Sequence, residues 1–172
     1  MLKTSKTSED KRFLPYYGEY LVALGLAKRG HDVQVLKKKR GADIYLRDVD
    51  IRVEVKSSSI DLAGWSCAAS FYNGTSIKRK DFDYCVFVIF ENLEPLDYLV
   101  FSHYELMEVA ENPRPSPITT YPNNRCILFR YKNLQEYEKA FPKIEDRLNI
   151  ETILHHHPER FRGRWDKIVL HK

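Results

Sequence analysis

The sequence predicts an α/β fold, a mixed central sheet flanked by helices, and three observations carry that expectation. Apolar residues recur at helical spacing over 16–29. Three short segments rich in Val, Ile and Tyr follow in quick succession, and Tyr84-Cys-Val-Phe-Val-Ile-Phe90 is a near-continuous apolar run of the kind found in strands buried on both faces. With 172 residues, 43% of them hydrophobic, the chain has the material for one domain with a substantial core.

Residues 1–12 are polar and charged without periodicity, and read as a flexible arm. The first helix is expected to begin at Pro15. Tyr16, Tyr20, Ala23, Leu24 and Ala27 fall on helical spacing, and Gly30 supplies the left-handed residue that commonly ends a helix. Segments 32–37, 42–47 and 51–57, separated by Lys-Arg-Gly and by Asp-Val-Asp, read as a three-stranded meander. Residues 58–80 are rich in Ser, Gly, Asn and Ala with Trp65, Phe71 and Tyr72 embedded, and predict an irregular crossing or a short helix. Strands are expected over 84–90, 98–101 and 126–131, and helices over 103–111 and 134–140. A loop with four prolines spans 112–124. The expected organisation is therefore an arm (1–12), a core (13–111) and a carboxy-terminal extension packed on that core (112–172).

The formal charge of +4 comes from 28 Lys and Arg against 24 Asp and Glu. That balance suits a polyanionic partner without requiring one. Lys37, Lys38, Lys39 and Arg40 form an unbroken basic run. Arg160, Arg162, Arg164, Lys167 and Lys172 face a single acid, Asp166. Both clusters can follow a phosphate backbone or serve as solvated faces. The arginines and aromatics of 158–165 also suit a dimer contact. Cys67, Cys85 and Cys126 are odd in number and widely spaced, which excludes a CxxC zinc site or disulfide framework and predicts a reducing, cytoplasmic setting. No apolar stretch is long enough to span a bilayer. Three adjacent histidines, His155, His156 and His157, could bind a transition metal, although adjacent histidines in a charged tail more often do nothing specific.

The chemistry concentrates on Ile51-Arg-Val-Glu-Val-Lys-Ser57. Residues i and i+2 of a strand share a face, so the Glu54 carboxylate and the Lys56 ammonium point together while Val53 and Val55 point away. Asp43, eleven positions before Glu54, stands near the start of the preceding strand, and Glu19 lies on the first helix. With Val22, Ala23 and Leu26 at i+3, i+4 and i+7, Glu19 faces apolar surroundings and needs a partner. An ion pair with a lysine would provide one, and an ordinary cross-strand pair on a solvated face would explain Glu54 and Lys56. Phosphodiester hydrolysis offers a use for all four together. Mg²⁺ takes one or two carboxylates plus water and phosphate oxygens, which Asp43 and Glu54 can supply with the main-chain carbonyl of Val55. Lys56 can orient the attacking water or stabilise the transition state, and Glu19 can hold a second metal or a metal-bound water.

On these residues, over roughly 14–101, the chain resembles the PD-(D/E)xK nuclease superfamily, with Glu19, Asp43, Glu54 and Lys56 at the helix glutamate and D…ExK positions and Ala42 where a proline is frequent. The resemblance implies a restriction-endonuclease-like αβββαβ core, a Mg²⁺-dependent cut in DNA with Mn²⁺ expected to substitute, and a homodimer. A restriction-type enzyme is the first expectation. A structure-selective nuclease similar to the archaeal Holliday-junction resolvases is the second, and a non-catalytic nucleic-acid-binding subunit with the same fold is the third.

Overall fold

A computed structural model describes residues 8–37, 41–59, 66–71, 81–106, 125–130 and 161–169. Helix α1 (Ser8–Ala27) leads into strands β1 (Val33–Val35), β2 (Ile44–Leu46), β3 (Ile51–Ser59), β4 (Ser66–Phe71), β5 (Tyr84–Glu91), β6 (Glu94–Ser102) and β7 (Arg125–Arg130), and a short helix α2 (Asp166–Val169) lies near the carboxy terminus. Five strands form a mixed sheet in the order β1-β2-β3-β5-β6. The meander β1-β2-β3 is antiparallel, as its sequence predicts; β3 runs parallel to β5, and β5 antiparallel to β6. The chain is thus of α/β class, with helices flanking a mixed sheet.

Strand β5 is buried along Tyr84 to Phe90, which is why its sequence is apolar without alternation. Tyr84, Val86, Val88 and Phe90 join the layer under α1 with Leu14, Val22, Leu26, Val53 and Val55. Cys85, Phe87 and Ile89 fill the opposite face, where Phe87 meets Phe101 edge to face. The residues after Arg160 wrap the edge of β6. Phe161 stacks on Phe101 at 4.0 Å, Trp165 packs on Tyr98 at 5.3 Å, and Arg162 bridges to Leu99.

Three elements depart from expectation. Helix α1 begins at Ser8, so Pro15 lies inside it rather than at its start; the residue costs one backbone donor and leaves the helix continuous. The apolar positions that reveal α1 in the sequence are mostly not the ones it buries. Leu14, Val22, Ala23 and Leu26 are covered, whereas Tyr16, Tyr20 and Leu24 are 64%, 66% and 53% exposed. Within 58–80, where a crossing or short helix is expected, β3 continues through Ser59 and 66–71 is a strand. Ser-Cys-Ala-Ala-Ser-Phe carries no periodic signal, and β7 decides its conformation by pairing with it along its whole length. The parts of the expected helices over 103–111 and 134–140 beyond residue 106 lie outside the described residues.

The end of α1 follows the glycine rule. Gly30 has φ +94°, its N–H donates to the Ala27 carbonyl and the His31 N–H donates to Leu26, the paired bonds of a Schellman motif. Gly18 has a different purpose. A Cβ there would stand 2.0 Å from Ser57 Oγ and 3.3 Å from Ser57 Cβ, so with Ser57 facing it glycine lets α1 lie this close to β3. Gly18→Ala is therefore expected to destabilise the fold by about 1 kcal/mol despite alanine's better helix propensity. Gly18→Ala/Ser57→Ala is expected to recover that loss, because the second change removes the clashing hydroxyl. Urea unfolding of the cycle checks both, and a double variant no more stable than Gly18→Ala would refute the contact.

Candidate active site

Strand β2 pairs with β3 only as far as Val53, opposite Ile44, and leaves the flank of β3 beyond that point without a β2 neighbour. Asp43 stands at this gap. Its N–H donates to the Val53 carbonyl at 3.0 Å and its carbonyl accepts from Leu36 N–H at 2.7 Å, so its backbone is held from both sides. Gly41, at φ +99°, makes the preceding bend. The Asp43 side chain then replaces the missing ladder partner, Oδ2 accepting the Val55 N–H at 2.7 Å. A strand residue's N–H and C=O point to the same flank, so the Val55 carbonyl also faces the gap beside the Asp43 carboxylate.

Glu54 and Lys56 project from β3 on the face opposite the α1 layer, beside Cys85 and Phe87 of β5. Lys56 Nζ donates to Glu54 Oε1 at 2.5 Å. The pair is not the solvated one that an alternating surface strand would give, because Glu54 is only 6% exposed. Its second oxygen, Oε2, is buried and has no hydrogen-bond partner among the described residues. Glu19 of α1 comes near enough to both Asp43 and Lys56 for their charges to act on it, so the structure brings the four predicted residues into one electrostatic cluster.

Protonation follows from this crowding. Burial pushes the Glu54 carboxyl up to about 7; Lys56 works against the rise, and the Asp43 and Glu19 charges add to it. Asp43 is also raised by burial, checked by the Val55 N–H, by Lys56 and by Glu54 beside it. Glu19 is raised by burial and by Asp43. Burial works to lower the Lys56 pKa, but the Glu54 carboxylate outweighs it and the ammonium is held above its ordinary value. Three acids therefore resist ionising together around one fixed cation, an arrangement that favours a further positive charge. Among the described residues no group of three or more His, Cys, Asp or Glu is placed to hold a metal unaided. Two carboxylates, one of them with a buried unpartnered oxygen, and a carbonyl nevertheless fit Mg²⁺, which keeps waters and takes substrate oxygens.

Two neighbours of the site escape sequence reasoning. Gly18, which seats α1, is signalled only as a glycine inside a helix. Cys85, paired across the sheet with Glu54, has its thiol pushed well up by burial and by the Glu54 charge, and so is no nucleophile.

Lys37 is exposed at the end of a described segment, while Lys38, Lys39, Arg40 and Arg160 lie outside the described residues, as do His155, His156, His157, Trp65 and Tyr72. Arg162 pairs with Asp97, and Arg164 makes two 2.9 Å bonds to Asp166. No described helix is long and apolar enough to cross a membrane.

No protein-family model and no curated protein matches the sequence. Among solved structures the chain is similar to a bacterial homing endonuclease, I-Ssp6803I, with a TM-score of 0.52, 92% of each chain covered and 15% identity. At that identity the likeness is one of fold.

Proposed function

We propose that this protein is a Mg²⁺-dependent DNA endonuclease with Asp43, Glu54 and the Val55 carbonyl as metal ligands. The observation that carries this reading is the convergence of three raised carboxyls on Lys56 at the flank of β3 past the end of β2, with one buried Glu54 oxygen unpartnered among the described residues. The fold shared with a homing endonuclease agrees with it.

A bound divalent ion would neutralise charge on the scissile phosphate and lower the pKa of a bound water. The remaining work falls to the chain. Asp43 is locked through its own backbone and through Val55 N–H, and so offers its free lone pairs in a fixed direction. Lys56, held protonated by Glu54, cannot take a proton from water at neutral pH. It serves as a donor that orients the attacking water and meets charge developing on the phosphoryl oxygens. Glu19 accepts a hydrogen bond from water at the margin of the site. Restriction-type cutting of both strands requires two such sites, because one site cuts one strand.

The test is cleavage of supercoiled plasmid, linear duplex and a synthetic four-way junction in Mg²⁺ or EDTA. The expected result is metal-dependent cutting that EDTA abolishes. Preference for the junction over the matching duplex, whatever the sequence, would make the enzyme structure-selective. Absence of cleavage on every substrate, together with no Mg²⁺ or Mn²⁺ binding by calorimetry, would overturn the proposal.

A further inference from the structure

The outward face of α1 is chemically unlike the rest of the described surface. Phe13, Tyr16, Tyr20 and Leu24 follow one another at spacings of three, four and four, and are 72%, 64%, 66% and 53% exposed. At about 100° per residue they fall within a single arc opposite the buried Leu14, Val22 and Leu26. Between Phe13 and Ala27 the one charged residue is Glu19, which turns toward the active site. Of the other large exposed apolar residues among those described, Tyr17 flanks the stripe and stacks on Phe90, and Leu93, Leu96 and Tyr104 form no such stripe.

We infer that this stripe is the contact through which two copies of the chain pair, α1 against α1. A face for nucleic acid would carry Lys or Arg among its aromatics, and between Phe13 and Ala27 this one carries neither. Nor does it hold charges that would select a different protein; a helical seam spaced three and four is complementary to itself across a two-fold axis. Three rings and a leucine at these exposures would bury on the order of 1,000 Å² across both copies, the threshold of a specific interface. The aromatic carboxy-terminal segment expected to make such a contact is engaged within the chain, Phe161 on Phe101 and Trp165 on Tyr98 and Arg29. The inference extends the endonuclease reading. Glu19 immediately precedes Tyr20, so pairing through α1 would set the spacing of two active sites.

Light scattering of the full chain across a wide range of concentration, without DNA or metal, tests the pairing independently of nuclease activity. The expected mass is twice that of the 20.3 kDa chain. Tyr16→Glu/Tyr20→Glu is expected to halve it with an unchanged circular dichroism spectrum, and Leu96→Glu to leave it unchanged. Should the double variant fail to fold, Tyr20→Ser is read instead, and is expected to dissociate at higher protein concentration than the wild type. A wild-type chain that stays monomeric throughout, or a folded Tyr16→Glu/Tyr20→Glu that keeps the doubled mass, would overturn the inference. So would a Tyr20→Ser that dissociates like the wild type.

Discussion

Lys56→Ala is expected to slow DNA cleavage by about 10²–10³-fold, the cost of removing one preorganised donor from a charged transition state. Divalent-ion binding should survive this change, since the residues proposed to hold the ion remain and the nearest competing cation is gone. Glu54→Ala should remove both cleavage and metal binding. This contrast separates a residue that acts on the phosphate from one that positions the ion. A lysine that merely neutralised a buried glutamate would show another pattern, with stability lost and the rate of the folded fraction preserved. Single-turnover cleavage beside calorimetric titration with Mn²⁺ reads both quantities. Lys56→Ala within fivefold of the wild-type rate would remove Lys56 from the chemistry.

Lys56 was legible because a strand has a period of two. The alternation around Glu54 put acid and base on one face whatever the rest of the fold did, and the meander then carried Asp43 to the same flank. The gap past the end of β2, which the Val55 carbonyl faces, was not legible. It depends on where β2 stops pairing, and strand ends are set by tertiary contacts rather than by local pattern. Helix α1 shows a different failure. Its period was plain, but it carries two apolar stripes, and the larger side chains are on the outside. Size favoured Tyr16 and Tyr20 as signals, whereas the core accepted Leu14, Val22 and Leu26, which fit above Val53 and Val55 once Gly18 has brought the helix close to β3. Strand β4 was hidden for a third reason: its small residues carry no periodic signal, and the strand they pair with, β7, comes more than fifty residues later.

Glu54→Gln is expected to make the protein more stable at pH 8, by about 1–3 kcal/mol, while abolishing cleavage. The sign follows from linkage. A carboxyl whose pKa is about 7 in the fold and 4.5 in the unfolded chain binds its proton more tightly when folded. The stability it contributes is therefore complete below about pH 4.5 and is lost as pH rises toward 7. Glutamine cannot titrate, so the two proteins should be similar near pH 5 and diverge above it, with about 2–4 °C in Tm for each kcal/mol in a chain of this size. A simple ion-pair account predicts the opposite sign, because the variant loses the 2.5 Å bond from Lys56 to a carboxylate. Millimolar Mg²⁺ should raise the wild-type Tm at pH 8 and leave Glu54→Gln unmoved, since only the ionised site recruits the ion. Thermal unfolding at the two pH values, with and without Mg²⁺, decides the matter. A wild type at least as stable as Glu54→Gln at pH 8 in the absence of metal would mean that the buried carboxylate is satisfied by Lys56 alone, with no electrostatic strain for a metal to relieve.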